Sequence, residues 1–446
     1  LISTFGAILL LTVPVLAAET GTLQAGAAKV DITPAPDAAL PMSGYAGRKE
    51  GFKGIHDHIY ARAIVLSDGS RQAAILTWEL IGIPTPIWDE LSQRIARETG
   101  IQPEYLLLAA VHDHSAPAPF GMYGNNSPKS AVYTKHLEEL TIQAIRQAKA
   151  KLQPVTIGIG TAKAYVNINR REYSPKNGWE LGYNPEGPSD KTVTVIRFNT
   201  LSGKPIALLI NYAVHAVVMG DENYQITGDL AGATSRYVEN HYSGKPEYAP
   251  RSDAGPALRL NPEEATGDVV ALWTSGAAGD QNPVSEARGS DFTLVNALGQ
   301  ILGEAAVRAA NFIRTMDRAR LWAKQEEITC PGRKLEPGPR HRNEYKWEDS
   351  DPVNIRLSLL MVNNIALAGV SGEVFTLINR RLEKESPFSH TVMITHANGS
   401  SGYIPDDSAF DQVSYEITTS HLKPGCAENG IVNGFLNLMQ DFTAAR

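Results

Sequence analysis

The sequence predicts a single large mixed α/β domain, and three observations carry that prediction. Strand-type and helix-type segments alternate to the end of the chain, which is the signature of helices layered on sheets. No internal repeat and no low-complexity linker interrupts them. Hydrophobic residues at 43% and charged residues at 20% match ordinary globular usage, which excludes disorder and coiled coil. A chain of 446 residues is also long enough to bury a large core. The 41 Lys and Arg against 48 Asp and Glu give a net charge of −7. A nucleic-acid partner would call for a basic face, so this charge argues against one and leaves neutral or weakly charged substrates open.

In chain order, residues 1–18 carry no charge and end in Leu16-Ala17-Ala18. An apolar run closed by small residues reads as the remaining part of a secretory signal, so the mature protein, residues 19–446, is expected to be secreted or periplasmic. No later stretch approaches the ~20 apolar residues of a membrane span, so no stable membrane insertion is expected. Ala27 to Thr33 alternates as a strand and ends in the turn-rich Pro34-Ala35-Pro36-Asp37. Ile59 to Leu66 and Gln72 to Leu80 flank Asp68-Gly69 as a hairpin. Thr85 to Thr99 has helical spacing and stops at Gly100. Tyr105 to Val111 is a short apolar run of buried-strand type that delivers the chain to His112.

Ala131 to Leu152 is a long amphipathic helix with its last turns rich in Lys and Arg. Strands are expected at Val155–Tyr165, Thr192–Phe198 and Ile206–Ala213, then a helix over Leu230–His241 with Asp229 as N-cap. Ser243 to Thr266, rich in Pro, Gly, Ser and charge, reads as a long excursion. Val269–Trp273 is a buried strand leading into Ser275-Gly276-Ala277-Ala278-Gly279-Asp280, and Phe292–Thr315 is helical. Strands follow near Leu321–Ile328, Val353–Val362 and Ile365–Ala368. Cys330 and Cys426 either form one bridge in an oxidising compartment or stay free. Sequence alone does not bring their Cα atoms within reach.

The strongest local chemistry is VHDHSAPAPFG, where His112 and His114 follow an apolar strand two residues apart. On an extended segment such residues share a face, and a His-x-His pair at a strand end can present nitrogens to zinc. The alternative is a pair of polar residues capping a strand. His215 follows the Ile206–Ala213 run, as a ligand or as a satisfied buried histidine. Glu373 follows a buried strand, as a ligand or as a charge at a helix start. His56 and His58 make a second His-x-His that spacing does not rank below the first. His396 precedes Asn398-Gly399, and His136 reads as a solvated helix position. Taken together, His112, His215 and Glu373 each end an apolar run where one sheet edge could gather them. Two histidines and a carboxylate form a known catalytic zinc pattern.

Read as a set, these elements resemble the neutral/alkaline non-lysosomal ceramidase family from roughly Ala27 to Ile431. His112-Asp113-His114-Ser115-Ala116-Pro117 is similar to the family's His-Thr-His-Ser-Gly-Pro element. Asn169-Arg170, Asn211-Tyr212-Ala213-Val214-His215, Gly372-Glu373, Gly402-Tyr403 and Tyr415-Glu416 follow in the family's order. The resemblance implies the α/β fold of the neutral ceramidase catalytic type, here without the C-terminal immunoglobulin-like domain. It implies zinc (Zn2+) held by His112, His215, Glu373 and Tyr403, with His114, Arg170 and Tyr415 around the scissile amide. Hydrolysis would then proceed by metal-activated water, with a tyrosine hydroxyl and an imidazole N–H available to an oxyanion.

The family's Gly-Asp-Val-Ser-Pro element reads Gly279-Asp280-Gln281-Asn282-Pro283 here. Asn282 cannot be a nucleophile, so Asn282 and Gln281 are expected to bind substrate instead. Ceramide is the substrate the resemblance implies, and the lost serine makes a carbohydrate derivative its rival. A catalytically silent binding protein is the third reading, opposed by the complete ligand set. Whether Asp229 and Asp280 support the site or only the fold, and the oligomeric state, stay open in the sequence.

Overall fold

The computed structural model describes residues 21–48, 50–244, 269–289, 291–336 and 345–445. The segment read as an export signal, and the excursion from 245 onward, lie outside the described residues.

Eight strands form the large sheet, in the order Val270–Ser275, Pro205–Tyr212, Thr192–Thr200, Gln153–Lys163, Gln24–Asp31, Tyr60–Ser67, Gln72–Trp78, Leu106–Ala110. A second sheet of four runs Leu321–Leu335, Trp347–Val362, Ile365–Val370, His390–Ile394. Because strand side chains alternate between faces, each strand supplies two cores. Leu107 and Ala109 pack inward with Leu209, Leu272, Leu360, Leu367 and Ile394, between the two sheets. Leu106, Leu108 and Ala110 face the helices Thr85–Thr99 and Pro128–Ala150. Leu208, Ile210 and Trp273 face Asp229–Ser243 and Thr293–Asn311. The far side of the second sheet packs on Thr376–Glu385 and Ala427–Ala444 through Ile378, Leu382, Ile431 and Phe435. The layers therefore run helix, sheet, sheet, helix.

Most neighbouring strands are antiparallel, but Gln72–Trp78 with Leu106–Ala110, Pro205–Tyr212 with Val270–Ser275, and Ile365–Val370 with His390–Ile394 are parallel. The carboxyl ends of these strands meet. Ser275 Oγ donates to the Val111 carbonyl at 3.0 Å, Thr395 N to the Ser275 carbonyl at 2.9 Å, and Ala110 N to the His396 carbonyl at 3.1 Å. Asn211 Nδ2 donates to the Met393 carbonyl at 3.0 Å, tying the large sheet to the small one. Crevices at the carboxyl ends of parallel strands are where α/β sheets place ligands.

The expected hairpin, the helix over Thr85–Thr99 with Gly100 left-handed at φ 81°, and the buried strand before His112 are all present. The helix after His215 begins differently from expectation. Gly228 takes the N-cap place and Asp229 stands inside at φ 45°. Its carboxylate accepts the amides of Val218 at 3.0 Å, Met219 at 2.9 Å and Leu230 at 2.6 Å. It thereby clamps the loop that follows His215. Burial pushes this carboxyl up to about 6 against the pull of those amides. The same helix is held to the large sheet by Arg62, whose buried guanidinium lies between Glu79 and Glu239. Among the unanticipated elements are the polar hairpin Asn167–Ser174 with Gly178–Asn184, the strand His390–Ile394 and the last helix.

Cys330 and Cys426 form a disulfide across a sequence separation of 96. It joins the long strand of the second sheet to the start of the last helix. By loop-closure entropy, Cys426→Ser should lower the unfolding free energy by about 2–5 kcal/mol. Denaturant unfolding of the variant against the oxidised parent measures this, and an unchanged midpoint would show the bridge to be energetically silent.

Candidate metal centre

Three strand ends supply the centre. His112 follows Leu106–Ala110, His215 follows Pro205–Tyr212, and Glu373 follows Ile365–Val370. His112 Nδ1 lies 2.8 Å from the Ile81 carbonyl, and His215 Nδ1 lies 2.8 Å from the Ala278 carbonyl. A carbonyl accepts only, so each ring carries a proton on Nδ1, and in the neutral imidazole Nε2 is then the bare lone pair. Both Nε2 atoms face the same oxygen, Glu373 Oε2, at 3.4 Å from His112 and 3.3 Å from His215.

All three side chains are buried. Burial and the nearby Arg170 charge depress His215 to about 3, which leaves it neutral. Burial alone would raise Glu373, but the field and contact of His112, then the contact of His215, hold it well below the usual carboxylate range. His215 Nε2 and Glu373 Oε2 are buried without a hydrogen-bond partner. Electron pairs converging in a dry place with no proton between them fit a cation.

His114 completes a group of three histidines whose ligand atoms lie within 4.8 Å of one another, an arrangement that could hold a metal ion. It differs from the other two. Its Nε2 is 3.2 Å from His112 Nε2, and its buried Nδ1 has no hydrogen-bond partner, so no carbonyl fixes its tautomer. Burial, and then the neighbouring His112 and His215 imidazoles, hold it well below the ordinary imidazole value. The expected reason for the approach of His112 and His114 was strand alternation. The observed backbone departs from that pattern, with His112 left-handed at φ 63°. Gly44, at φ 92°, lies so close to His114 that a Cβ there would be 2.2 Å from Nδ1.

Tyr403 pairs in backbone register with Glu373, and its hydroxyl accepts from Arg170 Nη2 at 3.0 Å. Arg170 also donates to Glu416 Oε1 at 2.6 Å, the Gly279 carbonyl at 2.8 Å and Asn282 Oδ1 at 3.2 Å. Its fork is therefore engaged mainly with protein groups. Tyr415 is 47% exposed, its ring 5.9 Å from that of Tyr403. Asp280 is a brace, accepting the Thr376 amide at 3.0 Å and the Asn169 amide group at 2.9 Å. Gln281 corrects an expectation. Its side chain is fully buried and its amide group donates to the Pro188 carbonyl and Thr376 Oγ1, at 2.8 and 2.9 Å, so it is turned into the protein frame.

His56 and His58 lie elsewhere. One ring stacks on Phe292 with centroids 3.5 Å apart and the other pairs with Asp31 at 2.5 Å. His136 is exposed on its helix, as expected. Two residues join the centre beyond the expected set. His396, left-handed at φ 53°, stacks on His112 with centroids 4.0 Å apart. It follows an apolar strand just as His112 and His215 do, and that signal was present in the sequence. Tyr123 donates to Glu373 Oε1 at 3.3 Å, and nothing in its local pattern marked it.

A buried cluster of imidazoles and one carboxylate at parallel strand ends marks an α/β protein with a site that could hold a metal ion. The chain belongs to the neutral/alkaline non-lysosomal ceramidase family, whose N-terminal profile matches residues 23–297. Neutral ceramidase A of Dictyostelium discoideum is 30% identical over 268 residues, covering 56% of this chain and 36% of that protein. The neutral ceramidase of Pseudomonas aeruginosa is 28% identical over 253 residues, covering 53% and 37%. That of Drosophila melanogaster is 27% identical over 315 residues, covering 66% and 44%. These matches thus span less than half the length of the curated relatives. The crystal structure of the Pseudomonas aeruginosa neutral ceramidase superposes with a TM-score of 0.75 at 17% identity, over 95% of this chain and 75% of that one. The catalytic-type α/β fold expected from the sequence is the fold observed.

Replacing Gly44 by Ala should drive a methyl into the His114 ring and strain the backbone. A loss of about 1–3 kcal/mol in urea unfolding is expected, and a variant as stable as the parent would mean that the ring is free to move aside.

Proposed function

We propose that this protein is an exported zinc-dependent hydrolase that cleaves the amide of a ceramide-like N-acyl substrate. The observation that carries the proposal is the convergence of bare His112 Nε2, His215 Nε2 and Glu373 Oε2, two of which are orphaned and buried. In this reading those three residues and Tyr403 hold zinc. Zinc there would supply Lewis acidity and lower the pKa of water toward neutral. Family membership supports hydrolase chemistry, and the relatives named as neutral ceramidases support an amide-linked lipid as substrate.

The chain's own residues then divide the work. His114, with no carbonyl fixing its tautomer, takes a proton from water and returns it to the departing amine as the C–N bond breaks. The Tyr415 hydroxyl donates to the oxyanion that develops on the carbonyl oxygen, a contribution of roughly 10²–10³ in rate. Arg170 holds Tyr403 and Asn282 in place. With asparagine where the family has its serine, attack is assigned to water and not to a side chain. Export to an oxidising compartment is supported by the Cys330–Cys426 bridge and by the apolar character of residues 1–18.

A polar substrate such as an N-acylated amino sugar is the second reading, and one observation favours it. Asn282 accepts from Arg170 and donates to Glu286 Oε1 at 3.3 Å, so a polar chain replaces the serine hydroxyl. Fatty-acid release from ceramides of several chain lengths, beside turnover of N-acyl amino sugars, separates the two. Sugar turnover with every ceramide inert would decide for the second.

His215→Ala should strip the metal and abolish turnover, with stoichiometric zinc in the variant counting against the ligand assignment. Asn282→Ser should leave zinc content unchanged while altering the ratio of ceramide to sugar turnover. Elemental analysis and paired rate measurements check both.

A further inference from the structure

We propose that Tyr123 is a positioning residue that restricts Glu373 to one-oxygen ligation and thereby keeps a position open for water. The inference rests on the metal reading above and extends it to a residue outside the expected ligand and oxyanion set. Glu373 uses its two oxygens differently. Oε2 faces the Nε2 atoms of His112 and His215, whereas Oε1 accepts from the Tyr123 hydroxyl. A carboxylate free at both oxygens can rotate and grip a cation with both. One whose outer oxygen is hydrogen-bonded keeps a single lone pair forward. Hydrogen bonds to ligating carboxylates also orient them and raise affinity.

The backbone around Tyr123 is unusual in a way that serves this contact. Tyr123 is left-handed at φ 47°, between Gly121 at φ 84° and Gly124 at φ 76°. A bulky residue at positive φ is strained, and such strain collects where a side chain must be aimed. The loop is closed on itself, with Gly121 N donating to the Asn125 carbonyl at 2.7 Å and Asn125 Nδ2 to the Ala118 carbonyl at 2.9 Å. Tyr123 is 61% exposed overall while its hydroxyl reaches inward. Removing that one oxygen therefore disturbs little packing.

The test uses the full chain stripped of metal and reloaded with Zn2+ or Co2+ alone. Tyr123→Phe should weaken zinc about 10–100-fold, with the urea midpoint of the metal-free protein unchanged. Its Co2+ form should lose visible absorption intensity, because a second carboxylate oxygen raises the coordination number. In turnover, kcat should fall while KM stays. Phe120→Ala, on the same loop, should leave zinc affinity and the Co2+ spectrum as in the parent. Equal affinity and an identical spectrum in Tyr123→Phe would overturn the proposal while leaving the metal reading intact. An equal loss in Phe120→Ala would also overturn it, by making the effect one of loop packing. A parent protein that takes up neither ion would overturn the metal reading itself, and this inference with it.

Discussion

The centre depends on one electrostatic constraint, a carboxylate oxygen held away from water beside the Nε2 atoms of two buried imidazoles. Glu373 is buried, and burial alone would protonate it. What surrounds Oε2 is not a set of hydrogen-bond donors but the lone pairs of His112 and His215, each forced outward by a carbonyl at Nδ1. Such a place is unfavourable unless positive charge enters it. The rest of the architecture is legible as the means of holding that arrangement rigid.

Rigidity comes from the way the two sheets meet. His112 and His215 follow strands of the large sheet, whereas Glu373 and His396 follow strands of the four-stranded one. Backbone bonds between Ala110 and His396 and between Thr395 and Ser275, with the Asn211 amide reaching Met393, fix the distance between those halves. Behind them, Arg170, Glu416, Asp280 and Thr376 form a connected polar frame in which every member is buried. Buried polar networks of this kind position groups accurately when their members are satisfied. Asp229 does the same for the loop after His215, which explains a strained, desolvated carboxylate at a helix start.

Much of this was legible in the sequence, for identifiable reasons. The strands before His112 and His215 are largely apolar runs, because they are buried on both faces between helices and a second sheet. The same circumstance that made them visible placed histidines at their ends. The hairpin of Asn167–Ser174 and Gly178–Asn184 was missed because its polar residues bond to the site frame, so neither alternation nor an apolar run marks it. Gln281 was misjudged because adjacency to Asn282 says nothing about facing, and successive residues of an extended segment point to opposite sides. Tyr123 was invisible since its role comes from a left-handed backbone between glycines, a conformation that periodicity does not encode. His56 and His58 show the converse: the same His-x-His spacing as His112 and His114, with rings engaged by Phe292 and Asp31 instead of by each other.

The split of the donors between two layers bears on the order of events during folding. Groups from positions 112, 215 and 373 can meet only once the interface between the sheets has closed over Leu107, Leu272 and Leu367. In the metal reading, an ion gripped by all three would be captured late, as a lock on an already assembled interior, and long-range closure of this kind is slow. A fragment carrying only the His112 and His215 strands would lack the carboxylate half of the cradle.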